Sequence, residues 1–253
     1  MKNKKIIRIW GGLGNQIFQY AFGQFLEKEQ NCKISFNINW FNGQSKRKFI
    51  LDKIFKITNE IIDEENNFID KLLNYKTEKF YKTLIKKNFL FLPKNLIGYW
   101  QDLYFAKYVN KENFLREFFE SSENKKNEKY YILHFRGGDF YNSKDHLVLD
   151  LEYYKKSIDF FRNEKIYCLS DDNKQLELLV NELNLKNIII PNLNELDSFR
   201  LICNSDGGIA SNSTFCWWAA YISGNKNWVF PKKWLKNKTL ISENLYIDDT
   251  LLL

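Results

Sequence analysis

Residues suited to binding an anion stand in four short segments of this 253-residue chain, each beside a predicted strand or helix. The first, 11–16 (GGLGNQ), lies between a strand pattern and a helix pattern. Gly12 and Gly14 would let a ligand approach the backbone, and the N–H groups of a helix N-terminus attract phosphate. Ile17 stands where a dinucleotide fingerprint has its third glycine, and no G-x-x-x-x-G-K-[ST] phosphate loop occurs. A purely structural tight turn is the alternative.

The second segment, 134–139 (HFRGGD), ends a predicted buried strand and would deliver His134, Arg136 and Asp139 to a ligand. A guanidinium can fork onto two phosphate oxygens, so Arg136 is the candidate phosphate ligand. Two structural alternatives remain, a hydrogen-bonded core histidine and an arginine–aspartate pair that only fixes the loop.

The third segment, 169–173 (LSDDN), also follows a predicted strand and offers Asp171 and Asp172. Paired acids can hold a divalent metal, but no histidine or third carboxylate stands at ligand spacing, and the sequence therefore predicts no metal site. The two acids could instead accept hydrogen bonds from a nucleobase or a ribose. Asp172 could also serve only as the N-cap of the following helix.

The fourth segment begins a strongly apolar helix pattern and reads SNSTFCWWAA over 211–220. Small hydroxyl residues at a helix N-terminus can offer both hydroxyl and backbone N–H donors to a phosphate. The candidate residues are Ser211, Asn212, Ser213 and Thr214. Helix capping by the same hydroxyl groups is the alternative.

The elements that must position these segments alternate between strand and helix. In the first half we predict strands at 5–10 and 34–38, a helix at about 18–27, a mostly helical stretch over 52–88, a short apolar stretch at 96–100 and an aromatic helix at 104–108. In the second half we predict strands at 130–135, 166–169, 188–190, 207–210 and 228–230, and helices at 153–161, 175–183, 196–203 and 214–222. This alternation favours parallel sheets covered by helices, which bind ligands at the carboxyl ends of their strands.

A segment without apolar residues, 121–129 (SSENKKNEK), is the predicted linker between two α/β domains, at 1–122 and 130–253. Two parallel sheets joined by such a linker would place a ligand cleft between them. We find no short-period internal repeat.

Composition and charge narrow the classes of protein. The chain is 44% hydrophobic and 17% aromatic, which excludes disorder over its whole length. No apolar run approaches the roughly 18 residues of a membrane span, and we predict neither a signal peptide nor an anchor. The four cysteines have no C-x-x-C spacing, which fits a reducing cytoplasm.

The net charge of +7 is unevenly distributed, at +8 in residues 1–125 and −1 in residues 126–253. The basic residues are interspersed with acids rather than forming one tract, and we therefore predict no nucleic-acid partner. The excess can be a solvated face, or it can meet an anionic substrate or an anionic membrane surface.

The order and spacing of these motifs resemble the bacterial α-1,2-fucosyltransferases of glycosyltransferase family 11 along essentially the whole chain. The resemblance rests on 11–16 with 18–21 (FQYA), on 98–101 (GYWQ), on His134-x-Arg136-x-Gly138-Asp139, and on 211–220. It implies a GT-B-like fold, in which two Rossmann-like domains have parallel sheets facing a central cleft. The N-terminal domain (1–122) would lie on the acceptor side, and the C-terminal domain (130–253) would bind GDP-fucose.

The activity that the resemblance implies is that of a galactoside 2-α-L-fucosyltransferase. L-Fucose would pass from GDP-L-fucose, with inversion and without a metal ion, to the 2-hydroxyl of a galactose-type residue in a cell-surface glycan. The alternatives are another nucleotide-sugar transferase of the same fold and a non-catalytic GDP-binding module. We expect a cytoplasmic protein that can rest on the anionic inner membrane, and the sequence assigns no oligomeric state.

The resemblance also distributes roles among the candidate residues. Arg136 would bind the diphosphate, and Asp139 would be the catalytic base or would only orient Arg136. Donor binding is expected from Gly12, Gly14, Asn15, His134, Arg136, Asp171, Asp172, Ser211, Asn212, Ser213 and Thr214, with His134 and either Asp171 or Asp172 near the guanosine. Gln16 and Gln101 are expected on the acceptor side, and Asn15 is expected to face the sugar or the acceptor together with them. The chain departs from the family pattern H-x-R-R-G-D at Gly137, where the family has a second arginine.

Overall fold

The computed structural model of the chain describes residues 3–44, 46–65, 76–86, 92–109, 113–115, 118–119, 128–236, 238–239 and 245–253. The chain divides into two compact units, Met1–Phe118 and Phe119–Leu253, and each contains a parallel β-sheet. The α/β fold expected from the sequence is thereby confirmed. Residues 121–127 of the predicted linker lie outside the described residues.

The first unit contains a sheet of four parallel strands in the order β3-β2-β1-β4. The strands are Lys4–Arg8 (β1), Lys33–Asn37 (β2), Glu60–Ile62 (β3) and Asn95–Leu96 (β4). The described helices of this unit are Leu13–Gln30 (α1), Lys76–Lys86 (α2) and Leu103–Ala106 (α3), with short 3-10 helices at Asn39–Gly43 and Leu51–Lys53.

Helix α1 covers the sheet because most of its residues are apolar or small, and twelve of them are buried. Gly23 sets how closely the helix approaches the sheet, since a Cβ there would lie 2.8 Å from the Phe36 ring of β2. The helix ends at Asn31, which adopts a left-handed conformation with φ 49°. Helix α1 is therefore packed closely against the sheet and ends at a defined residue.

The mostly helical pattern predicted over 52–88 is wrong in its first part. Residues Glu60–Ile62 form the edge strand β3, which pairs in parallel with β2. Two side-chain contacts secure this edge: Ser35 Oγ donates to Glu60 Oε2 at 2.7 Å, and Lys4 Nζ lies 2.9 Å from the same oxygen. The helical prediction is confirmed at α2, while 66–75 and 87–88 lie outside the described residues.

The second unit contains six parallel strands in the order β12-β9-β8-β5-β6-β7. They are Tyr131–Phe135 (β5), Ile166–Ser170 (β6), Ile188–Ile189 (β7), Gly208–Ile209 (β8), Trp228–Phe230 (β9) and Leu251–Leu252 (β12). A separate antiparallel pair is formed by Lys233–Leu235 (β10) and Lys238–Thr239 (β11). The helices are Leu151–Ile158 (α4), Asn173–Glu182 (α5), Glu195–Cys203 (α6) and Thr214–Ser223 (α7).

Five of the six strands of the second sheet and the four helices agree with the sequence prediction, with ends differing by up to three residues. Strand β5 is buried at all five positions, as its unbroken apolar pattern predicts for a central parallel strand. Helix α7 is likewise packed on the core through Cys216, Trp217, Trp218 and two alanines. The short strands β10, β11 and β12 were not predicted. No helix among the described residues is long and apolar enough to cross a membrane.

Candidate functional site

The glycine turn of the first unit follows β1 and leads directly into α1. Gly11 has φ 82°, which favours glycine, and Gly12 is the N-cap residue of α1 without any side-chain cap hydrogen bond. The Arg47 guanidinium lies over this turn, because a Cβ on Gly12 would be 3.3 Å from Arg47 Nη1. The helix N-terminus and the guanidinium together give this turn a positive potential.

Two side chains predicted to face the sugar or the acceptor are joined by a direct hydrogen bond. Gln101 Nε2 donates to Asn15 Oδ1 at 3.0 Å, so residues 86 positions apart meet at the glycine turn. Gln16 is 1% exposed and fixes the turn to the 48–50 segment. Its amide donates to the carbonyls of Gly11 and Lys48, and its carbonyl accepts from the Ile50 N–H. The buried Gln16 side chain thus stabilises the glycine turn through hydrogen bonds to its backbone and to the neighbouring segment.

A buried carboxylate on α2 holds the 98–101 segment in place. Glu78 Oε2 accepts from the Tyr99 N–H at 2.7 Å, and Glu78 Oε1 accepts from the Trp100 N–H at 2.8 Å. Lys82 balances this charge at 2.6 Å and also donates to the Gln101 carbonyl. Trp100 has φ 55°, an unfavourable conformation for a residue with a side chain, and the carboxylate stabilises it there. Gln101 therefore reaches Asn15 from a fixed backbone.

In the second unit, Arg136 stands just beyond the carboxyl end of β5 and is held by two carboxylates. Arg136 Nη2 lies 2.6 Å from Asp139 Oδ1, and Arg136 Nη1 lies 3.1 Å from Asp171 Oδ2. Its Cζ lies 5.0 Å from the centre of the Phe140 ring, and its Nε is buried with no hydrogen-bond partner. The guanidinium is therefore oriented before any ligand arrives, and its Nε–H makes no hydrogen bond to any residue that the structure describes.

Asp171 organises this strand end from the neighbouring strand β6. Its Oδ1 accepts from the Gly137 N–H at 3.1 Å, while its Oδ2 pairs with Arg136. Gly138 follows with φ 25°, and a Cβ there would lie 2.1 Å from Asp171 Oδ2. Only glycine fits between the backbone and this carboxylate. A nucleobase contact by Asp171 stays a prediction.

At Gly137, where the family pattern has a second arginine, the structure leaves no room for a side chain. A Cβ on Gly137 would lie 2.8 Å from the Phe135 ring and 2.9 Å from the Tyr141 ring.

We expect Gly137→Arg to lower the free energy of unfolding by about 1–3 kcal/mol, through overpacking, without raising the rate of the reaction. Urea unfolding and initial rates of the variant measure both effects. A faster and equally stable variant would show that the site lacks a cation that it could use.

His134 is buried in β5 and contacts the fourth segment. Its Nδ1 lies 2.7 Å from Ser211 Oγ, and its ring stacks on Phe215 at 6.0 Å. Burial, with the charge of Arg136 as a second cause, lowers the pKa of His134 to about 3. This neutral histidine joins the Arg136 segment to the start of α7. Its predicted contact with guanosine stays a prediction.

The lowered pKa of His134 predicts a pH dependence of stability. The unfolded chain has an ordinary histidine pKa of about 6.5, so it binds more protons than the native protein between about pH 3 and 6.5. The stability from the neutral histidine is complete above this range and is lost as pH falls through it, by at most about 1.4 kcal/mol per pH unit. Urea unfolding at several pH values should show a flatter slope for His134→Asn than for the native protein. Equal slopes would contradict a neutral buried His134.

Asn212 and Ser213, at the start of α7, have different roles: the first binds neighbouring backbone groups, and the hydroxyl of the second does not cap the helix. Asn212 is 2% exposed, and its amide donates to the carbonyls of Leu147 and Trp234. Ser213 is the N-cap residue of α7 but makes no side-chain cap hydrogen bond, so capping does not explain its hydroxyl group. Ser213 and the N–H groups of the first turn of α7 thus remain suited to an anion.

For Asp172 the capping alternative is confirmed. Its carboxylate accepts from the Gln175 N–H at 3.2 Å as the N-cap of α5. This does not test the predicted contact with guanosine. Within the described ranges, no three His, Cys, Asp or Glu side chains are grouped as metal ligands.

Three charged or titratable residues near these segments were missed by the sequence analysis. Arg47 and Glu78 belong to no recognisable motif, since only the folded chain brings them to the glycine turn and to the 98–101 segment. His146 stacks on Phe140 at 4.4 Å and lies 2.8 Å from Ser143 Oγ through its Nδ1, and burial lowers its pKa. Its position seven residues after Asp139 was the one available signal.

The sequence profile described as Glycosyl transferase family 11 matches residues 4–248. Two curated proteins of Escherichia coli are similar to the chain over most of its length. The O-antigen biosynthesis glycosyltransferase WbnK is 26% identical, covering 94% of this chain and 98% of the relative. An alpha-1,2-colitosyltransferase is 27% identical, covering 94% of each chain.

The fold is similar to that of a solved fucosyltransferase. The crystal structure of fucosyltransferase NodZ from Bradyrhizobium superposes with a TM-score of 0.57 at 12% identity, covering 87% of this chain and 92% of NodZ. NodZ, described as an α-1,6-fucosyltransferase, has also been co-crystallised with GDP, and that structure gives a TM-score of 0.56 at 11% identity. The likeness confirms the α/β, GT-B-like fold that the motifs implied.

Proposed function

We propose that this chain, which belongs to glycosyl transferase family 11, moves L-fucose from GDP-L-fucose to the 2-hydroxyl of a galactose-type residue. The observation that carries the proposal is the contact of His134 with Ser211 at 2.7 Å. It joins two neighbouring strand ends, one bearing Arg136 and the other leading into α7. A cation and a helix N-terminus thus belong to one strand-end cluster, which suits a diphosphate leaving group.

The chemistry expected at this cluster is displacement at the anomeric carbon. The acceptor oxygen forms a bond to C1 of fucose as the bond from C1 to the β-phosphate oxygen breaks, and GDP leaves with the electron pair. Negative charge grows on the diphosphate, where Arg136, Ser213 and the N–H groups of α7 would stabilise it. These groups are the proposed substitute for a metal ion.

The proton of the acceptor hydroxyl needs a destination, and Asp139 is the proposed base. Its side chain is 65% exposed, but one of its oxygens is held by Arg136 at 2.6 Å. The same contact supports the alternative role, in which Asp139 orients the guanidinium. Asp139→Asn separates the two roles, because a lost base removes a limb of the pH–rate profile, whereas a lost orienting group lowers the rate at every pH.

A second donor is favoured by one relative. Colitose is L-fucose without the 3-hydroxyl, and a relative with 27% identity is described as an alpha-1,2-colitosyltransferase. The two donors carry the same GDP group, so the strand-end cluster serves both. The other relative is described as an O-antigen glycosyltransferase, which supports a cell-surface glycan as the acceptor.

The proposed activity is tested by GDP release in the presence of EDTA, with GDP-fucose and GDP-colitose supplied in turn to a panel of β-galactosides. Acceptor-dependent release with either sugar supports a metal-independent transferase and identifies the donor. GDP binding without release would support the non-catalytic alternative. Release that requires a divalent metal ion would contradict the role given to Arg136.

The expected location follows from the charge of the chain. Residues 1–125 carry a net charge of +8, and the proposed acceptor is a lipid-linked glycan precursor at the cytoplasmic face of the inner membrane. Sedimentation with vesicles tests this proposal. Equal binding to vesicles with and without phosphatidylglycerol would contradict it.

A further inference from the structure

Three partly exposed aromatic side chains form a cluster at the carboxyl edge of the first sheet. Trp10 follows β1 by two residues, Trp40 follows β2 by three, and Tyr99 follows β4 by three. The Trp10 and Tyr99 rings stack with centroids 4.2 Å apart and planes at 18°, and the Trp40 ring lies 6.3 Å from Trp10 at 68°. We call these three residues the aromatic cluster.

The exposure of this cluster is unusual for the chain. The sequence contains seven tryptophans, and the five outside the cluster are buried, at 7% exposure or less. Trp10 and Trp40 keep part of their surface in water although burying a tryptophan is strongly favourable. Partly exposed aromatic rings at the carboxyl ends of parallel strands are typical of ligand sites rather than of core packing.

Trp10 is also held in one orientation. Its backbone N–H donates to Gln19 Oε1 at 2.9 Å, and its indole N–H donates to the Gly98 carbonyl at 3.4 Å. The buried Gln19 side chain donates to the same carbonyl at 3.3 Å. The ring is therefore positioned before a ligand binds, which reduces the entropy lost on binding.

A polar rim is formed by residues directly after β3 and on the 3-10 helix that carries Trp40. Asp63 directly follows β3 and accepts hydrogen bonds from Asn39 Nδ2 and Asn42 Nδ2, both at 2.9 Å. Hydrogen bonds from Asn42 and Asn39 hold the pKa of Asp63 below its usual value. Asp63 and Asn42 are exposed and Asn39 is partly exposed, and together they offer a negative charge and amide and carboxylate oxygens that bind hydroxyl hydrogens.

This combination suits one class of ligand. A galactose ring has an apolar face formed by its C3, C4 and C5 hydrogens, which can pack on the negative face of an aromatic ring, while its hydroxyls need carboxylate and amide partners. Within the described part of the chain, Asp63 is held by the two asparagines and pairs with no cation, whereas the positive charge of Arg47 lies at the glycine turn, so a phosphate or a nucleotide at the rim would meet an unpaired carboxylate. The ligand chemistry is therefore that of an uncharged pyranose.

We propose that the aromatic cluster, with the rim of Asp63, Asn39 and Asn42, binds the sugar ring of the acceptor glycan. The inference rests on the proposed function, since it takes the acceptor to be a galactose-type sugar. The cluster belongs to the same sheet edge as the glycine turn, and Tyr99 is two residues before Gln101, the residue bonded to Asn15. The acceptor ring would thus lie next to the amides that were expected to face it.

The test compares Trp10→Ala and Trp40→Ala with a matched control, Phe80→Ala, whose ring is 59% exposed on α2 outside the cluster. Methyl β-D-galactopyranoside and lactose are the acceptor probes. We expect each tryptophan variant to raise the acceptor KM about tenfold, the loss of one ring contact, while the calorimetric Kd for GDP stays within about twofold. Phe80→Ala should leave both constants unchanged.

The outcomes separate this inference from the proposed function. An unchanged acceptor KM in both tryptophan variants overturns the inference, and a weakened Kd for GDP would instead assign the cluster to the donor. Trp10→Phe keeps a ring and should largely restore KM if the Ala variant is impaired by lost stacking. If the native protein releases no GDP, saturation-transfer NMR with methyl β-D-galactopyranoside still decides. A signal that Trp40→Ala abolishes supports the sugar site, and no signal from the native protein overturns it.

Discussion

Arg136→Ala is expected to lower kcat/KM for the donor by about 10²–10³-fold, the usual cost of removing one preorganised donor from a growing negative charge. The structural reason is that the guanidinium separates two carboxylates. Asp139 lies 2.6 Å from Arg136 Nη2, and Asp171 lies 3.1 Å from Arg136 Nη1. Without Arg136 these acids would face the diphosphate with no compensating charge. Initial rates of GDP release and the calorimetric Kd for GDP measure the effect.

Two further variants show whether the loss belongs to the site. Arg136→Lys keeps the positive charge but cannot bind two oxygens at once as a guanidinium does, and we expect it to retain only a small part of the native activity. Arg162→Ala removes an arginine paired with an aspartate three residues away, as Arg136 is, but on an exposed surface. It should leave the rate unchanged. A full rate for Arg136→Ala would remove the arginine from the mechanism.

Gly138→Ala is expected to abolish most activity and to lower the free energy of unfolding by about 1–3 kcal/mol. The added Cβ would lie 2.1 Å from Asp171 Oδ2, and the backbone has φ 25°. The carboxylate must then move, which releases both Arg136 and the Gly137 N–H. A misplaced guanidinium should reduce the rate by about 10²-fold even in molecules that remain folded. Urea unfolding and rates measured well below the unfolding transition separate the two losses.

Gly224→Ala is the matched control for this substitution. Gly224 also has a positive φ, of 68°, but no atom lies within 4 Å of the position that its Cβ would take. We expect it to cost about 1–2 kcal/mol of stability from backbone conformation alone and to leave the rate intact. If Gly138→Ala behaved in the same way, the contact with Asp171 would not be what positions Arg136.

The fold was predictable wherever apolar residues are continuous in sequence. Strand β5 is buried at all five positions and helix α7 at its five central residues, so hydrophobicity alone located them. The edge strand Glu60–Ile62 could not be found in this way, because its residues are exposed or partly exposed. Its conformation depends on pairing with β2, which is 25 residues away at the contact between Ser35 and Glu60.

The candidate site was predictable in its residue types and less so in their contacts. The pairing of Arg136 with Asp139 was one of the two alternatives that the H-x-R-x-G-D spacing offered, and the cap by Asp172 was another local possibility. The contact of His134 with Ser211 spans 77 residues, and the support of the 98–101 segment by Glu78 spans about 20. Such contacts follow from strand order and helix packing, which the sequence pattern does not specify.

The aromatic cluster illustrates the same limit at single residues. Trp10 ends an apolar strand pattern and was indistinguishable from a core residue in the sequence. It lies at the carboxyl edge of the sheet, where its neighbours Trp40 and Tyr99 follow two other strands and leave it partly exposed. Sheet order therefore decides whether such a residue packs in the core or borders a ligand site.

The proposed activity is an inverting, metal-independent transfer of fucose from GDP-L-fucose to the 2-hydroxyl of galactose. It is tested most directly by NMR of the product formed from GDP-β-L-fucose and methyl β-D-galactopyranoside in the presence of EDTA. We expect an α-L-fucosyl residue on O2 of galactose, formed in step with released GDP and absent with Arg136→Ala. A β-linked product, or a product that forms only after a divalent metal ion is added, would contradict it.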